Sequence, residues 1–228
     1  MKKSLFVAAA VVATSLFTCL PAGADMGNIA AWDNSGQPGA QDFTPGAGSS
    51  HVTAATMTRG PGLTGNTGSN SFNSKGWEGT AATDFVQFGF QVDPGYTVSL
   101  DELWIGTRSS STGPGTIGYY SSLDGYLTSF FQTAQPANTY VNSRIDLTPL
   151  GPVTGSFFIR LYEVGNTQAG GSGATAATGT FRVGDYYDGV TYYDTIVTGQ
   201  TSAVPVPGAV WLLGSGLAGL ARLRRRLA

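Results

Sequence analysis

The chain has almost no cysteine or histidine. Its 228 residues include one cysteine, Cys19, and one histidine, His51. Disulfide frameworks need paired cysteines, and structural zinc sites need about four cysteine or histidine ligands. A serine–histidine triad also needs a histidine beside its nucleophile. These absences argue against a disulfide scaffold, a zinc centre and thiol chemistry, so we expect no metal and no cofactor, with His51 in a surface loop.

Basic side chains are also scarce in the middle of the chain. Residues 25–203 hold six Lys and Arg against 14 Asp and Glu, a net charge of −8, and the other six basic residues lie nearer the two ends. Nucleic-acid binding depends on clustered Lys and Arg that neutralise phosphates. The composition therefore argues against a nucleic-acid partner and suits an acidic extracellular protein.

Motifs that carry catalysis are missing from the same region. Its glycines follow neither the phosphate-loop nor the dinucleotide-binding pattern, and it has no Gly-x-Ser-x-Gly. A glycosidase needs two carboxylates about 5–10 Å apart. Asp101 and Glu102 are adjacent and would face opposite sides of a strand, and four other aspartates could converge only through folding: Asp124, Asp185, Asp188 and Asp194. We expect a protein that is not an enzyme.

The first 24 residues have the organisation of a secretory signal peptide. Met1-Lys2-Lys3 is basic, residues 5–20 are apolar, and Ala22-Gly23-Ala24 offers small residues for cleavage. We expect a helical signal segment, residues 1–24, that signal peptidase removes after Ala24 together with Cys19.

Residues 25–203 are predicted to form one all-β domain. Short segments alternate between apolar and polar residues and are separated by Gly, Pro and Asp turns, which is typical of a β-sandwich. Residues 84–92 place Val86, Phe88, Phe90 and Val92 on one face, and Asp93-Pro94-Gly95-Tyr96 fits a type II turn. Residues 156–164 are apolar on both faces, which predicts a central strand, whereas 35–48, 59–79 and 165–179 are predicted loops.

The last 25 residues, 204–228, contain a proline pair, an apolar run and a basic end. Residues 208–221 predict a short helix, and the arginines within 222–226 would keep its end on the cytoplasmic side. The 13 residues from 209 to 221 are fewer than the ~20 that span a bilayer. They suit a transient stop in the inner membrane better than a permanent anchor.

This tail resembles the PEP-CTERM sorting domain, which directs exported proteins of Gram-negative bacteria to the membrane protease-transpeptidase exosortase. The matching positions are Val204, Pro205, Val206, Pro207, Trp211, Gly214, Gly216, Arg224, Arg225 and Arg226. Pro-Val-Pro stands where the family usually has Pro-Glu-Pro. The resemblance implies processing by exosortase, release to the cell surface or matrix, and an association with exopolysaccharide and biofilm.

A second resemblance covers residues 84–199 and is to β-sandwich ectodomains that carry this tail. It rests on Phe88-Gly89-Phe90-Gln91-Val92, Arg108-Ser109-Ser110-Ser111-Thr112-Gly113-Pro114, Ser121-Ser122-Leu123-Asp124-Gly125-Tyr126, Ile159-Arg160-Leu161-Tyr162 and Gly179-Thr180-Phe181-Arg182-Val183. The resemblance implies a jelly-roll-like sandwich without an established activity. Residues 185–193 depart from the pattern as an insertion.

Aromatic side chains are the main candidates for ligand contact. Sugars stack on exposed aromatic rings, and Trp104 and Tyr120 fall outside the apolar register of their strands. We predict Trp104, Tyr120 and Trp77 as glycan contacts of a non-catalytic exopolysaccharide-binding protein. A purely structural surface protein without a ligand and a polysaccharide-processing enzyme remain alternatives. We also expect Arg108 and Asp124 to pair across two loops.

Overall fold

The computed structural model describes residues 27–79 and 82–205, and this part of the chain is all-β. Short 3-10 turns lie at Ser122–Asp124 and Thr148–Leu150. The strands, numbered in chain order, are β1 (Gly27–Trp32), β2 (Pro38–Gly39), β3 (Phe43–Thr44), β4 (Gly46–Gly48), β5 (Val52–Ala54), β6 (Met57–Arg59), β7 (Thr64–Gly65), β8 (Ser71–Lys75), β9 (Phe85–Val92), β10 (Tyr96–Ser109), β11 (Thr116–Ser121), β12 (Ser129–Ala134), β13 (Val141–Asp146), β14 (Pro152–Val153), β15 (Ser156–Glu163), β16 (Thr180–Gly184), β17 (Tyr186–Tyr187), β18 (Tyr192–Tyr193) and β19 (Thr195–Ala203).

The strands form two packed sheets and one separate hairpin. The larger sheet has the order β2-β8-β16-β10-β19-β1-β4, with β13 and β14 also on β10 and β7 on β8. The smaller sheet has the order β12-β11-β15-β9-β6-β3, with β5 also on β9, and β17 pairs only with β18. The strand β10 organises the larger sheet, because it pairs with β14 and β13 along one edge and with β19 and β16 along the other.

The core lies between the sheets and follows from period-two alternation. On β9, Val86, Phe88 and Phe90 are buried, while Phe85 and Gln87 lie on the outer face. The rings of Trp32 on β1 and Phe88 on β9 are 5.0 Å apart between centroids, which joins the two sheets. One continuous cluster of buried side chains therefore serves both sheets, as in a β-sandwich.

Several sequence predictions are confirmed here. The strand β9 occupies most of 84–92, and β15 lies between β11 and β9 as the predicted central strand. The turn after β9 has Gly95 at φ +86°, and the Tyr96 N–H donates to the Asp93 carbonyl at 3.1 Å. The exposed His51 lies in a turn, with its ring stacked on Tyr96 at 3.6 Å between centroids.

Two predicted loops contain strands that the sequence did not reveal. Residues 35–48 include β2, β3 and β4, each of two or three residues, and residues 59–79 include β7 and β8. The strand β8 reads Ser-Phe-Asn-Ser-Lys, so only Phe72 gives an apolar signal. It is held by pairing with β16 and by the Arg59 guanidinium, which lies 3.8 Å over the Phe72 ring.

The all-β sandwich is thus present, but the predicted flanking elements lie outside the described residues. These are the signal helix with Ala22 and Ala24, and the tail from Val206 onward with Pro207, Trp211, Gly214, Gly216, Arg224, Arg225 and Arg226. In residues 27–79 and 82–205, no helix has the length and apolar character needed to cross a membrane.

Candidate functional site

The three predicted glycan contacts lie in three different environments. Trp77 is fully buried, packs edge-on against Phe181 at 5.4 Å between centroids, and donates its indole N–H to the Ser74 carbonyl at 3.3 Å. The prediction that Trp77 contacts a glycan is therefore wrong. It lies after the irregular Gly/Asn/Ser-rich stretch, where alternation could not show which side it faces.

Tyr120 lies on the outer face of the smaller sheet. Its ring meets Tyr162 edge-on at 5.3 Å, and its strand neighbour Arg160 lies over Phe85 and Tyr126 at 4.1 and 4.0 Å from the ring centroids. Tyr120 is half-buried. It belongs to a cation–π cluster on the face opposite to Trp104, so the two cannot share one site.

Trp104 lies on the outer face of the larger sheet and is half-buried, but its ring is already engaged. The Arg144 guanidinium lies 4.3 Å from the ring centroid, and the indole N–H donates to Glu102 at 2.8 Å. Tyr186 and Tyr193 contact the same ring at 5.6 and 5.3 Å between centroids. Trp104 is therefore the support for the β17–β18 hairpin.

The hairpin places two tyrosine pairs on its two faces, because side chains alternate along a strand. The pair Tyr186 and Tyr193 covers Trp104. The pair Tyr187 and Tyr192 stacks at 4.5 Å between centroids, and Tyr192 remains 71% exposed. The turn is closed by Asp188, whose carboxylate accepts hydrogen bonds from the N–H groups of Val190 and Thr191 at 2.8 and 2.7 Å.

The stacked pair Tyr187 and Tyr192 borders a cleft of about 660 Å³ on the outer face of the larger sheet. We call this the polar cleft. Its lining combines three aspartates, two arginines, three tyrosines and four small polar residues: Asp33, Asp185, Asp194, Arg108, Arg182, Tyr140, Tyr187, Tyr192, Ser35, Ser69, Asn70 and Asn142. Such a lining suits a hydroxyl-rich ligand better than an apolar one.

The sheet topology explains why the aspartates meet. The strands β16 and β19 follow each other along the same edge of β10, since Gly106 pairs with Gly184 and Trp104 with Ile196. Residues 185–194 leave the sheet between these strands, so Asp185 and Asp194 are the two feet of the hairpin. Trp32 on β1 pairs with Thr195 on β19. Asp33, the residue after Trp32, therefore lies next to Asp194, the residue before Thr195.

One carboxylate oxygen from each of Asp33, Asp185 and Asp194 lies within 4.8 Å of the others. Burial raises the pKa of Asp185 to about 6; the N–H of Asn34, which donates to its carboxylate at 3.0 Å, opposes the rise, and the Asp33 charge adds to it. Burial, and then the charge of Asp33, also raise the pKa of Asp194. Carboxylate oxygens are acceptors for sugar hydroxyls and ligands of hard cations.

The two arginines are cross-strand partners, Arg108 on β10 and Arg182 on β16. The guanidinium of Arg108 lies 5.8 Å from the centroid of the Tyr140 ring. Within residues 27–79 and 82–205, the ion pairs closer than 4.0 Å are His51–Asp93 and Arg144–Glu102, so neither cleft arginine takes part in one. Both residues are half-buried, and both line the polar cleft.

The expected pair of Arg108 and Asp124 does not form. The Asp124 carboxylate accepts hydrogen bonds from the N–H groups of Leu127 and Thr128, at 3.2 and 3.0 Å, and so closes its own turn. Arg108 instead points into the polar cleft. Hydrogen bonds within the Asp124-Gly125 turn satisfy the carboxylate, which is typical of aspartate in turns and leaves it without need of Arg108.

Sequence reasoning found part of this site. The sequence indicated that Asp185 and Asp194 could converge, that 185–193 is an insertion, and that Tyr187 and Tyr192 are among the aromatic residues available to a sugar. It did not single out this tyrosine pair, and it gave no indication of Asp33 or Arg182. The available signal was the insertion itself, which is bounded by aspartates and contains four tyrosines. No family model, curated protein or solved structure matches the chain.

Proposed function

We propose that this chain is an exported surface or matrix protein whose β-sandwich binds a polysaccharide in the polar cleft. The observation that carries the proposal is the stacked pair of half-buried Tyr187 and exposed Tyr192 beside the hydrogen-bonding side chains of the cleft. Aromatic rings offer apolar faces to sugar rings, while Asp, Asn and Arg side chains bind hydroxyl groups. A purely structural protein has no need to hold these groups together in a concave surface.

The sequence supports the route by which the protein reaches its ligand. Export would follow the signal peptide, and the tail would pause in the inner membrane until exosortase cleaves it. This part of the proposal rests on the resemblance of residues 204–228 to the PEP-CTERM domain. We also propose that the strands of the sandwich are connected as in a jelly roll and that a short helix flanks it on each side.

The binding proposal is tested by co-sedimentation of the purified protein with the exopolysaccharide of the producing strain. Tyr192→Ala is the informative variant, because Tyr192 is exposed and its removal leaves the core intact. Tyr120→Ala is the matched control on the opposite sheet. We expect saturable binding that Tyr192→Ala weakens and Tyr120→Ala leaves unchanged. Absence of binding, or the reverse order of effects, would contradict the proposal.

A polysaccharide-processing enzyme is the second candidate, and the aspartate cluster is the observation in its favour. Two carboxylates that lie close together can act as acid and nucleophile, and burial raises the pKa of Asp185, which suits the acid. Oxygens within 4.8 Å leave no room for the water that an inverting glycosidase places between its acids, so only a retaining mechanism would fit. New reducing ends that disappear in Asp185→Asn would favour this function over binding alone.

A further inference from the structure

Arg108 and Arg182 are directly opposite each other on neighbouring antiparallel strands. Side chains in such positions have Cβ atoms about 5 Å apart and share one face of the sheet. Like charges in this arrangement destabilise a sheet. The protein therefore maintains an unfavourable pair of positive charges at the polar cleft.

The other arginines of the sandwich show how such charges are usually satisfied. The guanidinium of Arg59 donates to Ser74 Oγ and to backbone carbonyls, Arg144 pairs with Glu102, and Arg160 donates to Gln87. Among the residues that the structure describes, Arg108 and Arg182 have no acidic partner within 4.0 Å, although three aspartates line the same cleft. The arginine pair and the aspartate cluster are therefore separate parts of the cleft.

Neighbouring groups hold the Arg108 and Arg182 side chains in position at the cleft. Tyr140 lies beside the Arg108 guanidinium, Gly68 lies close to the Arg182 guanidinium, and Asn73 is the cross-strand neighbour of Arg182 on β8. These contacts limit the freedom of both side chains, while neither charge has an acidic partner within 4.0 Å among the described residues. Two adjacent guanidinium groups match the geometry of a carboxylate, which accepts hydrogen bonds on two oxygens.

We infer that the polar cleft selects acidic polysaccharides, with the carboxylate of a uronic-acid residue on Arg108 and Arg182 and neighbouring hydroxyl groups on the aspartates. This inference rests on the proposed glycan binding and names its substrate class. Asp185 lies three residues beyond Arg182, about 10 Å along an extended chain. A ligand that reaches both parts must therefore carry a carboxylate and hydroxyl groups along one polymer. The net charge of −8 would repel such a polymer elsewhere on the surface.

The test uses pairs of oligosaccharides that differ only in the acidic group. Cellohexaose is compared with its C6-oxidised form, the β-1,4-glucuronate hexamer, and an α-1,4-galacturonate hexamer is compared with its methyl ester. Binding of each to the purified protein is measured by calorimetry in buffer with EDTA. We expect the acidic member of at least one pair to bind about tenfold more tightly than its neutral counterpart.

The variants Arg108→Gln and Arg182→Gln assign the effect to the arginine pair. Each should weaken binding of the acidic hexamer about tenfold and leave the neutral hexamer unchanged. Lys75→Gln is the charge-matched control, because Lys75 is exposed on β8 outside the cleft. Arg182→Lys should keep part of the affinity. The melting temperature of both glutamine variants should stay level or rise, since each removes a like-charge contact.

The outcomes separate this inference from the proposed function. Equal binding of acidic and neutral hexamers, weakened by Tyr192→Ala but not by Arg108→Gln, would keep the glycan site and overturn its acidic selectivity. Acidic binding that requires added Ca²⁺ would overturn the arginine assignment, because a cation on the aspartates would then hold the carboxylate. Binding to no oligosaccharide and no exopolysaccharide would overturn both.

Discussion

Trp104 and Tyr193 meet edge to face, with ring centroids 5.3 Å apart and planes at 89°. This contact joins the outer face of β10 to a hairpin that otherwise pairs only with itself. A two-stranded hairpin alone is at best marginally stable in water. The indole of Trp104 therefore holds the hairpin in position. It thereby also positions Tyr187 and Tyr192, which line the polar cleft.

We predict that Trp104→Ala loosens the hairpin while the sandwich remains folded. Residues 185–194 should lose protection in hydrogen exchange and gain a protease-sensitive site, because Tyr186 and Tyr193 lose their packing partner. Glycan binding should fall with them. Trp104→Phe is the control, since it keeps an aromatic surface for Tyr193. Unchanged exchange in the hairpin of Trp104→Ala would contradict the supporting role.

The pKa of Asp185 predicts a specific pH dependence of stability. The folded pKa of about 6 is above the ordinary value of 3.8, so the folded state binds the proton more tightly. Stability contributed by this group is therefore present below pH ~4 and is lost as pH rises towards ~6. Asp185→Asn should raise the unfolding free energy at pH 7.5 by about 1 kcal/mol, after allowance for solvent screening, and change it little at pH 3.5. Urea unfolding at both pH values measures this.

Asp188 provides a control of opposite sign within the same hairpin. Hydrogen bonds from the N–H groups of Thr191 and Val190 lower its pKa, so its contribution to stability is present at neutral pH and is lost as pH falls. Asp188→Asn should therefore destabilise the hairpin more at pH 7.5 than at pH 3.5. The same pH trend in both variants would contradict a local electrostatic origin.

The fold was predictable where strands are long and alternate regularly, whereas the site was predictable only in part. The alternation along β9 identifies its core face directly, and the apolar residues on both faces of β15 indicate a central strand. The polar cleft depends on five segments that are distant in the chain. Asp33 meets Asp194 only because Trp32 pairs with Thr195, and no local pattern encodes that register.

The buried Trp77 should be a major contributor to stability. Replacing a fully buried tryptophan by alanine removes its packing against Phe181 and leaves a cavity, which costs about 3–5 kcal/mol. Tyr120→Ala should cost about 1 kcal/mol, because its half-buried ring loses mainly the contact with Tyr162. Chemical unfolding of both variants compares them. Equal losses would contradict the assignment of Trp77 to the core and of Tyr120 to the surface.

The junction between the sandwich and the tail indicates where the proposed cleavage would separate the two. The strand β19 ends at Ala203, and the N–H of Val204 donates to the Gly95 carbonyl at 2.8 Å, while the side chain of Val204 is 45% exposed. The Val-Pro-Val-Pro motif thus begins where the chain leaves the sheet, which suits access by a protease.

We expect mass spectrometry of the extracellular protein to find a C-terminus near residues 204–208, without Arg224-Arg225-Arg226. Cleavage there removes no strand of the sandwich, so the melting temperature should equal that of a chain ending at Pro205. Replacing Pro205 and Pro207 by alanine should leave uncleaved protein in the inner membrane, because the proposed recognition motif is lost while the apolar run remains. Extracellular protein that still ends in Arg224-Arg225-Arg226 would contradict exosortase processing. It would also contradict the proposal that cleavage of the tail releases the sandwich from the inner membrane.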